Sequence, residues 1–523
     1  MQARYRAGAF CLLWAASAAA QNRDLDLVIA GGRVLDPETG LDAERDVGIA
    51  SGSIAAISQG SEGSLSSRLK PGGTLVDARG LIVAPGFIDL HAHGQTNRAN
   101  EFQARDGVTT ALELEGGVGG VGDWIASRKG RALLNYGASV SHGTLRVYAM
   151  PQIAEKVKAR GGSAEAETER ELRDGLYAPL PEERTEALYR LFEKGLREGG
   201  LGIGMPHQYY PGADRREIFR VFEFAAEKDV PIYTHVRSIG VEAMQEVIAD
   251  AAATGASLHI VHVNSMSLWD LPLVLEIIEG ARKRGVDVTT EAYPYTASST
   301  SIESAIFDEG WQERLRISYG NVQWQDTGER LTEETFRKYR EKGGIVIIHL
   351  MKPEWIDLAV RSPFVMIASD GMPYAPGAHP RSAGTFSRIL GQYVREREIL
   401  DLMEAVGKMT LLPAMRLSEV APAMKKKGRL QVGADADITV FDLGTIRDTA
   451  NFEDDLSFSE GVVHVLVGGV FVVRDSQSVK DVFPGKPILG RYHSGLVPFQ
   501  LASPGKANAL AGLSLSVSDA GAR

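Results

Sequence analysis

Two histidines one residue apart end an apolar run near the start of the chain. The run covers residues 84–94, and the histidines are His91 and His93. Side chains alternate between the two faces of a strand, so both imidazoles point the same way from its end. Two converging imidazoles can hold one divalent metal ion, which a hydrolase needs to acidify a water at neutral pH. The pattern therefore predicts a metal centre at the end of a buried strand.

Three further candidate ligands close strand-like segments later in the chain. His235 and His262 each stand at the downstream end of a β-branched run, and Asp370 closes the apolar run 365–371. A carboxylate that faces a metal-bound water can accept its proton and pass it to a leaving nitrogen. We therefore expect Asp370 to be both a metal ligand and the catalytic acid/base.

The strand-like segment 108–117 carries two carboxylates on one face, Glu113 and Glu115. Buried carboxylates are rarely explained by packing alone. Glu115 lies nearer the downstream end, where it can bridge two metals, and Glu113 is then either the residue that orients a ligand or an alternative ligand. The chain has one cysteine, Cys11, and no lysine at a strand end, so a carboxylate is the expected bridge.

Apolar runs alternate with amphipathic stretches between residues 81 and 422, which is typical of repeated βα units on a parallel sheet. Eight such units predict an α/β protein with a TIM-like (β/α)8 barrel, whose chemistry takes place at the C-terminal strand ends. The candidate strands are residues 81–93, 108–115, 134–140, 201–207, 230–237, 257–264, 286–294 and 365–370.

The segments on either side of the barrel are rich in short alternating strands and turn residues. Residues 21–80 and 423–495 are together expected to form one small β-sandwich domain built from both termini. Two stretches inside the barrel region, 154–200 and 298–342, are longer than plain connections. Each is expected either to lie over the barrel mouth as a lid or to pack against the outside.

The two ends of the chain differ in composition from the rest. Residues 1–20 combine two arginines, an apolar run and a series of small residues, which predicts a bacterial signal peptide and a periplasmic or secreted protein. Residues 496–523, rich in Ala, Ser and Gly, are expected to form a flexible tail. No other apolar stretch approaches the roughly 18 residues that a membrane span requires.

The charge distribution narrows the range of partners. The formal net charge is -10, and no basic stripe stands out beyond short runs such as 425–427. A nucleic-acid partner is therefore not expected, and a small molecule is the expected substrate. The sequence leaves a homo-oligomer open.

Taken in order, these residues resemble the amidohydrolase superfamily, and within it the branch of N-acyl-D-amino-acid deacylases, including its D-glutamate deacylases. The resemblance covers nearly the whole chain after residue 20. The segments that carry it are Ala-Pro-Gly-Phe-Ile-Asp at 84–89, Tyr-Pro-Tyr-Thr-Ala-Ser-Ser-Thr at 293–300, Ser-Asp-Gly at 369–371 and His-Pro-Arg-Ser-Ala-Gly-Thr-Phe at 379–386.

The resemblance implies roles for individual residues. Deacylases of this type usually hold the metal with a cysteine after the second strand; that place is Gly116 here, and Glu115 is the best substitute. The α-carboxylate of the substrate would be bound by Tyr293, Ser299 and Arg381, in keeping with the bidentate fork that arginine presents. The implied metal ligands are His91, His93, His235 and His262, with Asp370 as the acid/base.

The expected activity is zinc-dependent hydrolysis of the amide bond of N-acyl-D-amino acids, with N-acyl-D-glutamate as one candidate substrate and one or two zinc ions bound. The products would be a carboxylate and a free amino acid. Two other hydrolytic activities stay open, a dipeptidase acting on C-terminal D-residues and a cyclic-amide hydrolase. A binding protein that has kept the fold without activity is the alternative outside enzymes.

Overall fold

The computed structural model describes residues 23–59, 64–150 and 174–493. The predicted signal peptide, the predicted tail and the first part of the 154–200 stretch lie outside these ranges. Among the residues described, no helix is both long and apolar enough to cross a membrane.

Eight parallel strands form a nearly closed barrel in which neighbours along the chain are neighbours in the sheet, and the predicted fold class is confirmed. Each strand falls inside one of the eight candidate segments or extends it by a few residues. The barrel strands are β6 (Phe87–Asp89), β7 (Val108–Val118), β8 (Asn135–Ser141), β9 (Ile203–Gly204), β10 (Ile232–Thr234), β11 (Leu258–Ile260), β12 (Val288–Ala292) and β16 (Val365–Ile367).

Helices surround the barrel and bury their apolar faces against it. In the helix Thr185–Arg197, for example, Leu188, Phe192 and Leu196 recur every four residues and pack into the barrel core. The described part of the 154–200 stretch therefore contributes an ordinary outer helix. The other α-helices are Asn97–Arg105, Val121–Arg128, His142–Ala149, Arg215–Glu227, Val241–Thr254, Val263–Ser267, Leu271–Lys283, Trp311–Leu315, Glu333–Lys342, Pro353–Arg361, Arg381–Arg388, Leu402–Met409 and Leu411–Leu417, and a π-helix covers Ile389–Glu396.

A nine-stranded sheet beside the barrel is built from both flanks of the barrel segment. The two flanks join where β5 pairs antiparallel with β17. Its strands are β1 (Leu25–Asp36), β2 (Leu41–Ala50), β3 (Ser53–Ile57), β4 (Leu69–Asp77), β5 (Ile82–Pro85), β17 (Ile438–Phe441), β18 (Val462–Val467), β19 (Val470–Arg474) and β20 (Gln477–Ser478).

Two boundaries of this small domain differ from the prediction. The barrel begins after Gly86 rather than at residue 81, because the apolar run 82–90 divides between the two sheets. Gly86 donates its N–H to Asp437 O, and a Cβ there would lie 2.3 Å from the side chain of Thr109. After β20, residues 485–490 return to the barrel, where Tyr136 donates its N–H to Lys486 O.

The 298–342 stretch is part of a separate three-stranded antiparallel sheet, called here the mouth sheet. Its strands are β13 (Ala297–Ser301), β14 (Val322–Trp324) and β15 (Ile345–His349), with β15 in the centre. Trp311 and Trp324 belong to the apolar cluster under this sheet. Ser299 and Ile348 line the same cavity as two predicted ligands, His235 and His262, so the sheet lies over the barrel mouth rather than against its outside.

Asp89 closes the barrel between its first and last strands. Its Oδ1 accepts the backbone N–H of Ser369 at 3.0 Å and that of His91 at 3.2 Å, and its Oδ2 accepts the hydroxyl of Ser369. Above it, the N–H of His93 donates to Gly371 O at 2.8 Å. Asp89 is fully buried, and that burial raises its pKa to about 6. One side chain thus fixes the loops that follow both strands.

The substitution Asp89→Asn is expected to lower the midpoint of thermal unfolding and the metal content together. An amide in place of the carboxylate turns one acceptor into a donor, and each buried donor left unpaired costs about 1–3 kcal/mol. Thermal unfolding followed by circular dichroism, with metal analysis of the same preparation, measures both effects. The exposed Asp77, replaced by Asn, is the matched control. An unchanged midpoint in Asp89→Asn would contradict the role of this side chain.

Candidate metal centre

The predicted ligands meet at the C-terminal ends of five barrel strands. Their side chains form three overlapping groups whose candidate ligand atoms lie within 4.8 Å of one another. The groups are His91, His93 and Glu115; His91, His262 and Asp370; and Glu115, His235 and His262.

The first subsite comprises His91, His93, Asp370 and one oxygen of Glu115. His91 Nε2 lies 3.1 Å from His93 Nε2 and 3.4 Å from both Glu115 Oε2 and Asp370 Oδ1. His93 Nε2 lies 3.3 Å from Glu115 Oε2 and 3.5 Å from Asp370 Oδ1. Ligands about 2.0–2.2 Å from a tetrahedral zinc are about 3.3–3.6 Å apart. His91, His93 and Glu115 therefore have approximately the spacing of ligands of one zinc ion, and Asp370 lies at a similar distance from both imidazoles.

The second subsite uses the other oxygen of Glu115. Glu115 Oε1 lies 3.1 Å from His235 Nδ1 and 3.2 Å from His262 Nε2. Three protein donors with a free fourth position are typical of catalytic zinc sites. Because its two oxygens face different pairs of imidazoles, Glu115 has the geometry of a bridge between two metal ions. Gly116 lies beside Glu113 and contributes no side chain to the centre.

Two glutamates accept hydrogen bonds from the histidines of the first subsite, on the side of each ring away from the centre. His93 Nδ1–H donates to Glu113 Oε2 at 2.9 Å, and His91 Nδ1–H donates to Glu291 Oε1 at 2.6 Å. A carboxylate can only accept, so each bond places the proton on Nδ1 and leaves Nε2 free to bind a metal. Of the two roles open for Glu113, the structure shows the orienting one.

Glu291 was not among the predicted site residues. It is fully buried in β12, and its second oxygen accepts Nε2–H of His259 at 3.1 Å. His259 Nδ1 in turn contacts Thr289 Oγ1 at 2.8 Å. Both ring nitrogens of His259 therefore have side-chain partners. The signal that could have revealed Glu291 is the one that marked Glu113, a carboxylate inside an apolar parallel strand.

The electrostatics of the centre favour a cation. Burial alone would lower the pKa of His91, but the carboxylates of Asp370, Glu115 and Glu291 outweigh it and raise that pKa well above its usual value. Burial raises the pKa of Glu291, and His91 and His259 reverse this and hold it at about 2. The carboxylates are therefore ionised, and their negative charge is concentrated where the imidazole nitrogens converge.

Two of the predicted ligands have a strained backbone. His262 and Asp370 have left-handed φ angles of 31° and 52°. Such conformations cost of order 1–3 kcal/mol for residues other than glycine, and they persist where the surrounding structure imposes them. At both strand ends, the strain coincides with a side chain that faces the centre.

The three residues predicted to bind the α-carboxylate lie together beside Asp370. Arg381 is fully buried, its Nη1 lies 2.9 Å from Asp370 Oδ2, and its guanidinium stacks 4.7 Å above the ring of Tyr293. Arg381 Nη2 also contacts Ser299 O at 3.4 Å. Among the described residues, the Tyr293 and Ser299 hydroxyls and Arg381 Nε have no hydrogen-bond partner. Burial raises the pKa of Tyr293 to about 12, so its hydroxyl stays a donor.

The chain is similar to known proteins over most of its length. The model of the amidohydrolase family matches residues 74–473. The chain is 32% identical over 474 residues to the N-acyl-D-glutamate deacylase of Alcaligenes xylosoxydans xylosoxydans, a match that covers 86% of this chain and 93% of that protein. It is 28% identical over 508 residues to the D-aminoacylase of the same organism, which covers 87% of this chain and 96% of that protein.

The fold is also similar to that of a deacylase whose structure has been solved. The N-acyl-D-glutamate deacylase of Bordetella bronchiseptica, in complex with zinc and a phosphonate inhibitor that mimics the tetrahedral intermediate, superimposes with a TM-score of 0.74 at 27% identity. The superposition covers 89% of this chain and 100% of that chain.

Removing the charge of Glu291 is expected to weaken zinc binding while the fold is preserved. In Glu291→Gln the side chain keeps its shape, but the acceptor of the His91 Nδ1–H hydrogen bond is no longer charged. Mutation of comparable hydrogen-bond partners of metal ligands lowers metal affinity about 10–100-fold. Competition with a chromophoric chelator measures the Kd for zinc directly. Thr289→Val, which leaves Glu291 intact, is the control and should change the Kd much less. Equal zinc affinity in Glu291→Gln and the parent would refute the assignment.

Proposed function

This chain belongs to the amidohydrolase family, and from that membership and the geometry of its centre we propose that it hydrolyses the amide bond of N-acyl-D-amino acids. The observation that carries the proposal is the position of Asp370. Its Oδ1 faces His91 and His93, and its Oδ2 faces Arg381. An N-acyl amino acid carries its amide nitrogen and its carboxylate on the same Cα. One substrate can therefore place the scissile amide at the metal centre and its carboxylate at Arg381.

Zinc is the proposed metal. When bound, it supplies an acidified water and polarises the scissile carbonyl. The mixed nitrogen and carboxylate donors and their tetrahedral spacing suit it, and the similar deacylase from Bordetella bronchiseptica was solved in complex with zinc. The proposed ligands of the first subsite are His91, His93, Glu115 and Asp370, and those of the second are Glu115, His235 and His262.

Asp370 is the proposed acid/base. Burial raises its pKa, but Arg381 and His91 outweigh burial and hold it well below the usual value, so the carboxylate is ionised and ready to accept a proton. Water that attacks the acyl carbon gives one proton to Asp370, which passes it to the amide nitrogen as the C–N bond breaks. The products are a carboxylate and a free amino acid.

Arg381, Tyr293 and Ser299 are proposed to hold the α-carboxylate of the substrate. Their unpaired donors are buried, and an unpaired buried donor is costly unless a ligand satisfies it. The bidentate fork of arginine fits a planar carboxylate. Cyclic amides of the hydantoin type have no free carboxylate and would leave these donors unpaired. The D configuration of the amino acid is supported by the names of the similar deacylases.

A matched substrate screen tests the function. The zinc-loaded protein is incubated with N-acetyl-D- and N-acetyl-L-amino acids, with dipeptides ending in a D-residue, and with hydantoins. We expect amino-acid release from the N-acetyl-D series, with kcat/KM well above that for the L series. N-acetyl-D-amino-acid amides, which lack the carboxylate, should be poor substrates. Preferential cleavage of hydantoins, or amides cleaved as well as their acids, would refute the proposal.

The substitution Asp370→Asn is expected to lower kcat about 10²- to 10⁴-fold, because an amide cannot take up the proton of the attacking water. The assay is run at saturating zinc, with zinc content measured on the same sample, since Asp370 is also a proposed ligand. The expected loss is about 10²-fold or more. If kcat instead stays within about threefold of the parent at equal zinc content, another group is the acid/base.

A further inference from the structure

The cavity that opens from the second subsite is polar at its base and apolar at its outer end. Its polar lining residues are Gln208, Tyr209, His235, His262, Ser265, Ser298, Ser299, Thr300 and Asp370. The cavity has a volume of about 40 Å³ for water-sized molecules, and the wider space of about 440 Å³ between its lining atoms includes open solvent. The outer end, called here the outer pocket, is lined by Ile239, Met266, Ile306, Leu315, Ile348 and Leu350.

Within the part of the chain that the structure describes, no cation lines the outer pocket. None of the described residues that line the cavity is a lysine or an arginine. Arg381 lies beside the base of the cavity, where Asp370 and the α-carboxylate share it. Arg237, two residues after His235, donates hydrogen bonds to Glu246 Oε1 at 2.9 Å and to Ala213 O at 2.8 Å. A second carboxylate on the substrate would therefore find no lysine or arginine among the described residues that line the cavity.

Two other cations follow lining residues in the chain, and both stack on tryptophans. Arg316, next to Leu315, is exposed with its guanidinium 3.8 Å from the ring of Trp269. Lys352, two residues after Leu350, is exposed with Nζ 5.4 Å from the ring of Trp355. Neither lines the cavity. The apolar surface of the pocket is thus the part that a bound substrate meets.

We propose that the outer pocket takes an apolar group of the substrate, so that the enzyme favours N-acyl amino acids with an aliphatic or aromatic group over derivatives of D-glutamate and D-aspartate. The inference rests on the proposed function, because it requires the amide at the metal centre and the α-carboxylate at Arg381. Burying an apolar group against these side chains is favourable, whereas burying a carboxylate without a partner is strongly unfavourable. The apolar group can come from the amino-acid side chain or from the acyl chain.

Two substrate series separate these sources. In the first, the acyl group is acetyl and the amino acid is D-alanine, D-leucine, D-methionine, D-aspartate or D-glutamate. In the second, the amino acid is D-alanine and the acyl chain grows from acetyl to hexanoyl. A rise in kcat/KM of at least tenfold from D-alanine to D-leucine assigns the side chain to the pocket, and a comparable rise in the second series assigns the acyl chain. Either result supports the proposal.

A substitution that places a cation in the outer pocket should reverse the preference. Leu350 is half-buried at the end of β15, so a longer charged side chain can be accommodated there. Leu350→Arg is expected to lower kcat/KM for the best apolar substrate and to raise it for N-acetyl-D-glutamate, so that their ratio changes at least tenfold. Leu358→Arg, an exposed site on the helix Pro353–Arg361, is the matched control and should leave the ratio unchanged. Ile239→Lys, also half-buried, serves if Leu350→Arg does not fold.

The outcomes distinguish this proposal from the one it rests on. If no N-acyl amino acid of either series is hydrolysed by the zinc-loaded parent, the proposed function fails. If N-acetyl-D-glutamate or N-acetyl-D-aspartate has the highest kcat/KM, the function stands and the assignment of the pocket is overturned. Flat kcat/KM values across both series overturn it as well. If Arg316→Gln then lowers only the kcat/KM for the acidic substrates, Arg316 is identified as the cation that binds them.

Discussion

The centre depends on one carboxylate with two differently placed oxygens. Glu115 Oε2 faces His91 and His93, and Glu115 Oε1 faces His235 and His262. Without it, no one carboxylate would have an oxygen within 3.4 Å of each of the four imidazoles, which come from three regions of the barrel. Burial raises the pKa of Glu115, but the histidines around it reverse this and hold it well below the usual value, so its carboxylate is charged. The remaining carboxylates either complete this arrangement or orient its histidines.

Much of this arrangement could be predicted from the sequence, because strand alternation and parallel-sheet topology act locally. An apolar run that ends in His91 and His93 fixes which way those side chains point, and β-branched runs that end in His235 and His262 place them at the same edge. What escaped prediction depends on distant pairing. The division of the first apolar run at Gly86 requires β17, more than three hundred residues later. Glu291 gains its role only because the barrel brings β12 behind His91.

The two halves of the centre differ in what surrounds them. The first subsite is held by Glu113 and Glu291, whose hydrogen bonds fix the imidazole rings, and it meets the buried ion pair of Asp370 and Arg381. The second subsite opens into the cavity, where His235 Nε2 donates to Gln208 Oε1 at 2.6 Å and the mouth sheet forms the facing wall. Hydrogen bonds and ion pairs between buried side chains are therefore concentrated around the first subsite.

The closure of the barrel by Asp89 also sets the order in which the centre can be assembled during synthesis. Asp89 and its partner Ser369 are separated by 280 positions. The ligands of the second subsite are all present once residue 262 has left the ribosome, whereas the first subsite lacks Asp370 until more than a hundred further residues have followed. Closing so long a loop is slow relative to local folding. The side chains that form the second subsite are thus all synthesised more than a hundred residues before Asp370, which completes the first.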